Sequence, residues 1–259
     1  MVKSCEAWLS KKTVKIECME NTSRIVAQAD PIDAAQFYRK TYGLVALAFA
    51  GFAGLLYTFF QLTPVAAIFM STLGAMFNSL GGFTWLVVML VFWAGTYYAQ
   101  KLASNGASRE SQYAGLGLYV FLEALIFIPL ISIVALKTGG RAEEILIPAC
   151  ALTGALVLGL TLAVQFTQVD FSFLRIVIVI GSICALGAVI MFSILGINPG
   201  TWFALAMILL MATVILYQTH VIKNNCSTDD YVIAAFILFS AFVTLLFYVI
   251  QFFMGRRSE

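Results

Sequence analysis

Charged residues, histidine and paired cysteines are scarce in this chain of 259 residues. Only 11% of the residues are charged, against about 25% in a soluble domain, and 61% are hydrophobic. The net charge of +2 offers no basic surface for a nucleic-acid partner. The composition therefore predicts an all-α polytopic membrane protein whose main partner is the lipid bilayer.

The shortage of reactive side chains also excludes several kinds of site. A single histidine, His220, cannot build a metal centre that needs several histidines. The five cysteines are odd in number and have no CxxC spacing, which argues against a disulfide framework or a zinc site. Two of them, Cys150 and Cys184, fall in apolar segments, where we expect small packing residues. The serines of the apolar segments have no histidine within the membrane to activate them, since the single histidine, His220, falls at the end of its segment beside a loop, so we predict no catalytic residues and no enzyme.

Seven apolar segments are long enough to cross a hydrocarbon core of about 30 Å. They cover residues 43–62, 83–99, 113–136, 145–166, 173–195, 201–222 and 231–253. Residues 1–36 are polar and predict an N-terminal tail, which leaves residues 37–255 as one membrane domain. Between the first two spans, residues 63–82 carry no charge but are interrupted by Pro64 and by Gly81-Gly82. We expect a loop outside the membrane there, with room for a half-buried helix.

Local patterns predict where helices start and how they pack. Asp30 followed by Pro31 is typical of a helix N-cap and first helical residue. Small residues recur at every fourth position in the first and fourth spans, which indicates faces where neighbouring helices approach closely. They are Ala46, Ala50 and Gly54, and Ala151, Ala155, Gly159 and Ala163.

Lysine and arginine are divided unevenly between the two sides of a seven-span protein. Eleven of the 15 fall on the side of the N-terminus and four on the other. The positive-inside rule therefore predicts a cytoplasmic N-terminus and, with an odd number of spans, a C-terminus outside. Arg256 and Arg257 at the end of the chain oppose this assignment. A last helix that re-enters instead of crossing is the alternative.

One charge, Glu123, lies in the middle of the 24-residue span from Tyr113 to Leu136. A centred acidic residue costs about 2.5–3.5 kcal/mol on the insertion scale, so it is tolerated only where it faces other helices or water. Tyr119 lies four residues before it and shares its helix face. Two interpretations are open: a protonatable or cation-attracting group inside the bundle, or a protonated carboxyl that only holds two helices together.

Three stretches of the sequence resemble one family of small membrane proteins, the Bax inhibitor-1 family. They are FYRKTYGL (37–44), SQYAGLGLYVFLEALIFIPL (111–130) and ILYQTHVIKNNCSTDDYVIAAFILFSAFVTLLFYVIQFF (215–253). The second is similar to the bacterial branch, in which a glutamate occupies this span. The resemblance implies six helices around a central C-terminal seventh, forming a calcium-permeable leak in a bacterial plasma membrane. It implies no cofactor apart from transient Ca²⁺.

The resemblance also implies which residues line a pore, and this sequence departs from the family there. Family members studied as leaks pair an aspartate in the sixth span with one in the seventh, which share a proton and gate the pore with pH. Gln218 occupies the first position, Ala241 aligns with the second, and Thr244 takes the polar position after it. Because neither substitute titrates, we expect a leak without the paired-aspartate gate. Gln218 and Thr244 join Glu123 and Tyr119 as pore candidates, although an interhelical hydrogen bond also explains a glutamine.

Asp229 and Asp230 precede the last helix, where two carboxylates either attract cations to a pore mouth or cap the helix. The missing aspartate pair favours a second class of function. In that class the protein conducts nothing and regulates other membrane proteins, such as quality-control proteases or stress factors. Ion flux through reconstituted vesicles separates the two classes.

Overall fold

The computed structural model describes residues 25–104, 108–167, 171–195 and 200–257, which contain eight α-helices. The helices are α1 (Pro31–Tyr57), α2 (Val65–Leu80), α3 (Phe83–Ala103), α4 (Arg109–Lys137), α5 (Glu143–Phe166), α6 (Leu174–Leu195), α7 (Thr201–Asn225) and α8 (Tyr231–Arg256). All except α2 are long and apolar enough to cross a membrane. The predicted all-α, seven-span fold is confirmed. The predicted tail before residue 25 and the predicted turn at 196–199 lie outside the described residues.

The start of α1 follows the sequence prediction. Asp30 accepts a hydrogen bond from the Ile32 backbone N–H at 3.2 Å, and Pro31 is the first helical residue. The helix then continues without a break and ends in a π-helical turn, Thr58–Leu62. These 32 residues span roughly 48 Å, more than a hydrocarbon core of about 30 Å, so the first turns of α1 extend to the membrane surface or beyond it.

The segment between α1 and α3 is mostly helical, which corrects the expectation of a loop. Helix α2 has 16 residues and a length of roughly 24 Å, too short to cross the core. It is largely exposed and buries Ala66 and Leu73. Gly81, with φ +56°, then turns the chain into α3, in a conformation that residues with a side chain rarely adopt. The interruptions in the sequence therefore mark the ends of a short helix.

The last helix, α8, is the centre of the bundle. It packs against α1, α4, α5 and α7, and side chains on all its faces are buried, among them Phe239, Val243 and Leu245. Its 26 residues are enough for a complete crossing. Helix α6 occupies an outer position against α3 and α7, and none of its residues from Leu174 to Phe192 is buried. The predicted central C-terminal helix is confirmed, and α6 contributes only to the outer layer.

Long-range contacts define the two ends of the bundle. At the end we call the N-end, Ile25 pairs with Ser227, and the Arg109 side chain donates to the Asp229 carbonyl at 2.8 Å. At the opposite C-end, the Arg257 side chain donates to the Glu144 carboxylate. The first and last described residues, Ile25 and Arg257, therefore lie at opposite ends of the bundle, as seven crossings require.

The cysteines differ from the expectation. Cys226, between α7 and α8, is disulfide-bonded, although the odd count argued against disulfides. Cys150 and Cys184 are free thiols on the outer surface of the bundle, not buried packing residues. The spacing of cysteines in a single sequence does not indicate which of them are oxidised.

The two small-residue stripes are also placed differently from the expectation. Both stripes, on α1 and on α5, face away from the bundle, and a Cβ built at Gly54 or Gly159 meets no atom within 4 Å. The close approach occurs instead at Gly115 of α4, where a Cβ would lie 2.7 Å from the Ala99 carbonyl oxygen of α3. The predicted close packing within this chain at the stripes is therefore wrong.

Candidate functional site

Glu123 lies at the middle of α4 and faces the central helix. It is fourteen residues from Arg109, roughly 21 Å along the axis, and only 5% exposed. The Tyr119 hydroxyl, one turn before it, donates a hydrogen bond to the carboxylate and is itself 6% exposed. The same hydroxyl is within hydrogen-bonding range of Ser240 on α8. The structure therefore brings Glu123 and Tyr119 together, as their spacing predicts, and adds Ser240.

Thr244 follows Ser240 by one turn on α8. Its hydroxyl donates to the Ser240 carbonyl at 2.7 Å, and the Ser240 hydroxyl donates to the Ile237 carbonyl at 2.8 Å. Both hydroxyl protons are therefore used within α8, which leaves their oxygen lone pairs as acceptors or ligands. Sequence reasoning missed Ser240, because nothing in a single sequence indicates which serine faces a tyrosine on another helix.

Aromatic rings enclose the site. The Phe52 ring of α1 lies 4.9 Å from Phe127 of α4 and 6.4 Å from Phe239 of α8, measured between ring centroids. The Tyr119 ring lies 4.8 Å from Phe236 and 6.1 Å from Phe239. These edge-on and tilted contacts join the three helices around the level of Glu123, whose side chain is buried.

The environment of Glu123 limits what it can do chemically. A carboxylate has about four lone-pair positions, and Tyr119 supplies one donor. Every described lysine and arginine lies near a helix end or in a connection, so no cation of the protein lies at this depth. Among the described residues no three His, Cys, Asp or Glu lie close enough to hold a metal. One carboxylate and two hydroxyls are oxygen groups that can hold a proton or contact a hard cation.

Gln218 and Glu123 lie on different helices of the bundle. Gln218 is on α7, which packs against α5, α6 and α8, whereas Glu123 is on α4, which also packs against α8. The Gln218 side-chain oxygen is buried and lacks a hydrogen-bond partner, as does the hydroxyl of its neighbour Thr219. Ala241, which aligns with the seventh-span aspartate of the family, is buried in α8. The four predicted pore residues therefore do not form one cluster.

The two aspartates before α8 lie at the N-end beside a guanidinium. Arg109 donates to the Asp229 carbonyl, and its positive charge acts on the Asp230 carboxylate. Burial raises the pKa of Asp230, and Arg109 offsets that rise only in part. Asp230 occupies the N-cap position of α8 without a side-chain capping bond. This end of the bundle is therefore of mixed charge instead of acidic.

The comparison with protein families supplies the identity. A family model described as "inhibitor of apoptosis-promoting Bax1" matches residues 34–258, which include the spanning helices except for the first three residues of α1. The chain belongs to the Bax inhibitor-1 family. The comparison with curated proteins finds no match. The resemblance drawn from three stretches is thus confirmed over most of the chain, and the protein is an integral membrane member of this family.

Proposed function

We propose that this Bax inhibitor-1 family member is a calcium-permeable cation leak in which Glu123 is the group that a permeating cation meets at mid-membrane. The observation that carries the proposal is a carboxylate buried beside the central helix with one hydroxyl donor. A charged residue there costs about 2.5–3.5 kcal/mol on the insertion scale, whereas leucine would be favourable. Assisting a cation across the membrane is a physical reason to retain a carboxylate. Oxygen ligands of this kind suit calcium.

The described conformation is the closed state in this proposal. Glu123 is only 5% exposed, and the packed rings of Phe52, Phe127 and Phe239 join α1, α4 and α8, so a hydrated cation reaches the carboxylate only if this packing loosens. Opening then requires α4 to move relative to α8. Pro129 lies inside α4, six residues beyond Glu123, and removes the backbone hydrogen bond to the Leu125 carbonyl. This missing bond gives α4 a place to bend.

The leak lacks the paired-aspartate gate in this proposal. When two carboxylates share a proton, one of their pKa values is raised toward neutrality, because ionising both side by side costs free energy. Gln218 and Ala241 have no ionisable group, and Gln218 is not beside Glu123. We therefore expect no pH response of the leak from these two positions between about pH 6 and 8, so any response in this range has to come from Glu123 and be lost in Glu123→Gln. A pH response that persists unchanged in Glu123→Gln would contradict this part of the proposal.

We place the N-end of the bundle in the cytoplasm. Six of the ten described lysines and arginines lie at that end, and the sequence before Ile25 adds five more to the same side of a seven-span topology, the side that the positive-inside rule assigns to the cytoplasm. A bacterial plasma membrane fits the resemblance of residues 111–130. A reporter fused after Glu259 should then be active only outside the cytoplasm, and cytoplasmic activity would reverse the orientation.

A second candidate function is a non-conducting regulator that binds other membrane proteins, including proteases or stress factors. The observation that favours it is the outward-facing stripe on α5, which a helix of another protein can approach closely. Ala155→Leu in the middle of this stripe would block such an approach and leave the Glu123 site intact.

Calcium entry into reconstituted vesicles distinguishes the two functions. Vesicles loaded with a calcium indicator are prepared with the purified protein or without protein, and the initial rate of entry is measured. A leak raises the rate above that of protein-free vesicles, and Ala155→Leu keeps the raised rate. A rate equal to that of protein-free vesicles, from correctly folded protein, would favour the regulator.

A further inference from the structure

A groove opens at the N-end between α1, α4 and α8. Its floor is formed by Gly43, Leu44 and Leu47 of α1, and its walls by Tyr113 of α4 and Tyr231 of α8. Arg39 and Lys40 form the rim, where α1 leaves its apolar stretch. The groove is a shallow, open depression on the bundle surface, with a volume of about 390 Å³.

The rim carries positive charge that no carboxylate of the described chain neutralises. The described ion pairs of Arg141 and Arg257 are both at the C-end. Lys40 Nζ lies 5.2 Å from the centroid of the Tyr231 ring, and the Arg109 guanidinium carbon lies 5.0 Å from the same centroid. Two cations held at one ring repel each other, so an anion at the rim would be stabilised. Arg109 is partly engaged by the Asp229 carbonyl, which leaves Arg39 and Lys40 as the available charges.

The rest of the groove is apolar and lies at the depth of a membrane interface. The Leu47 side chain is 66% exposed and continues the floor along α1 toward the middle of the membrane. The Tyr113 and Tyr231 hydroxyls lie 3.2 Å apart at the wall, a placement typical of tyrosines at the headgroup level. A ligand that fits must therefore combine an anionic head with an apolar chain.

We propose that this groove binds one anionic phospholipid, with its phosphate between Arg39 and Lys40 and an acyl chain along Gly43 and Leu47. A zwitterionic lipid carries its own balancing cation, so the uncompensated rim selects against it. Inorganic phosphate shares only the rim contacts and lacks the contacts with the floor. Binding of this lipid is independent of whether the protein conducts ions.

Native mass spectrometry of the full chain in detergent tests the proposal, with phosphatidylglycerol and phosphatidylcholine of identical acyl chains as probes. We expect the wild type to retain phosphatidylglycerol in preference to phosphatidylcholine. Each cation at a membrane surface contributes a factor of about five, so Arg39→Gln with Lys40→Gln should weaken phosphatidylglycerol binding about 25-fold. Lys101→Gln with Arg175→Gln removes the same charge from exposed positions on the same side and should change it little.

A second variant blocks the groove without changing its charge. A Cβ built at Gly43 meets no atom within 4 Å, so Gly43→Leu should fold, and leucine favours the helix. We expect it to weaken phosphatidylglycerol binding, and excess inorganic phosphate to leave that binding in place. Equal retention of the two lipids by the wild type would overturn the proposal. So would unchanged binding in the double rim variant, an equal loss in the charge-matched control, or displacement of the lipid by phosphate.

Discussion

Tyr119→Phe removes the hydroxyl that donates to Glu123 and leaves the ring contacts with Phe236 and Phe239 in place. The carboxyl group, 5% exposed, then has no described donor, and the surrounding rings exclude water. Leaving a buried polar group without its partner costs about 1–3 kcal/mol. For a chain of this size each kcal/mol lowers Tm by about 2–4 °C, so we expect a fall of about 2–12 °C.

The assay is thermal unfolding of the purified protein in detergent, monitored by intrinsic fluorescence. Tyr97→Phe is the matched control, because this tyrosine is exposed and its ring is retained. The same change in a Glu123→Leu background completes a double-mutant cycle. In that background Tyr119 has no carboxyl partner, so removing the Tyr119 hydroxyl should lower the free energy of unfolding by about 1 kcal/mol less than it does in the wild type. Equal costs in both backgrounds would refute the hydrogen bond, and a neutral Tyr119→Phe would refute the enclosed site.

Three further predictions concern helix packing, the N-end and the gate. Gly115→Ala should destabilise the protein by about 1–3 kcal/mol in thermal unfolding, because the added Cβ would lie 2.7 Å from backbone atoms of α3. Gly117→Ala, where the added Cβ meets open space, should be neutral or stabilising in the same assay. Burial raises the pKa of Asp230, so the folded state binds the proton of this carboxyl group more tightly than the unfolded state does. The contribution of Asp230 to stability therefore falls as pH rises through the raised pKa. In a pH series of unfolding curves, Asp230→Asn should lack this fall and be more stable than the wild type at pH 7. Gln218→Asp alone should leave the pH profile of calcium entry between about 6 and 8 as in the wild type, and Gln218→Asp with Ala241→Asp should add a new response to it. A new response from the single substitution would contradict the missing pair.

The sequence predicted the helices well because long apolar runs and caps are local signals. Asp30 and Pro31 start α1 as expected, and the spacing of Tyr119 and Glu123 places them on one face. The direction of the α5 stripe could not be predicted, because both lipid and a neighbouring helix are apolar, and small residues suit either. The contact of Arg109 and Lys40 with Tyr231 joins three helices that are distant in sequence. No pattern in a single sequence indicates such a cluster.

The most direct test of the central claim is calcium entry into vesicles that contain Glu123→Gln. Glutamine keeps the size and the hydrogen-bonding capacity of the side chain and removes only the charge. Glu110→Gln, an exposed change on the same helix, is the matched control, and normal extraction and Tm in detergent establish that both variants fold. The account predicts that entry falls toward the rate of protein-free vesicles in Glu123→Gln and stays at the wild-type rate in Glu110→Gln. Wild-type entry through a folded Glu123→Gln protein would contradict it.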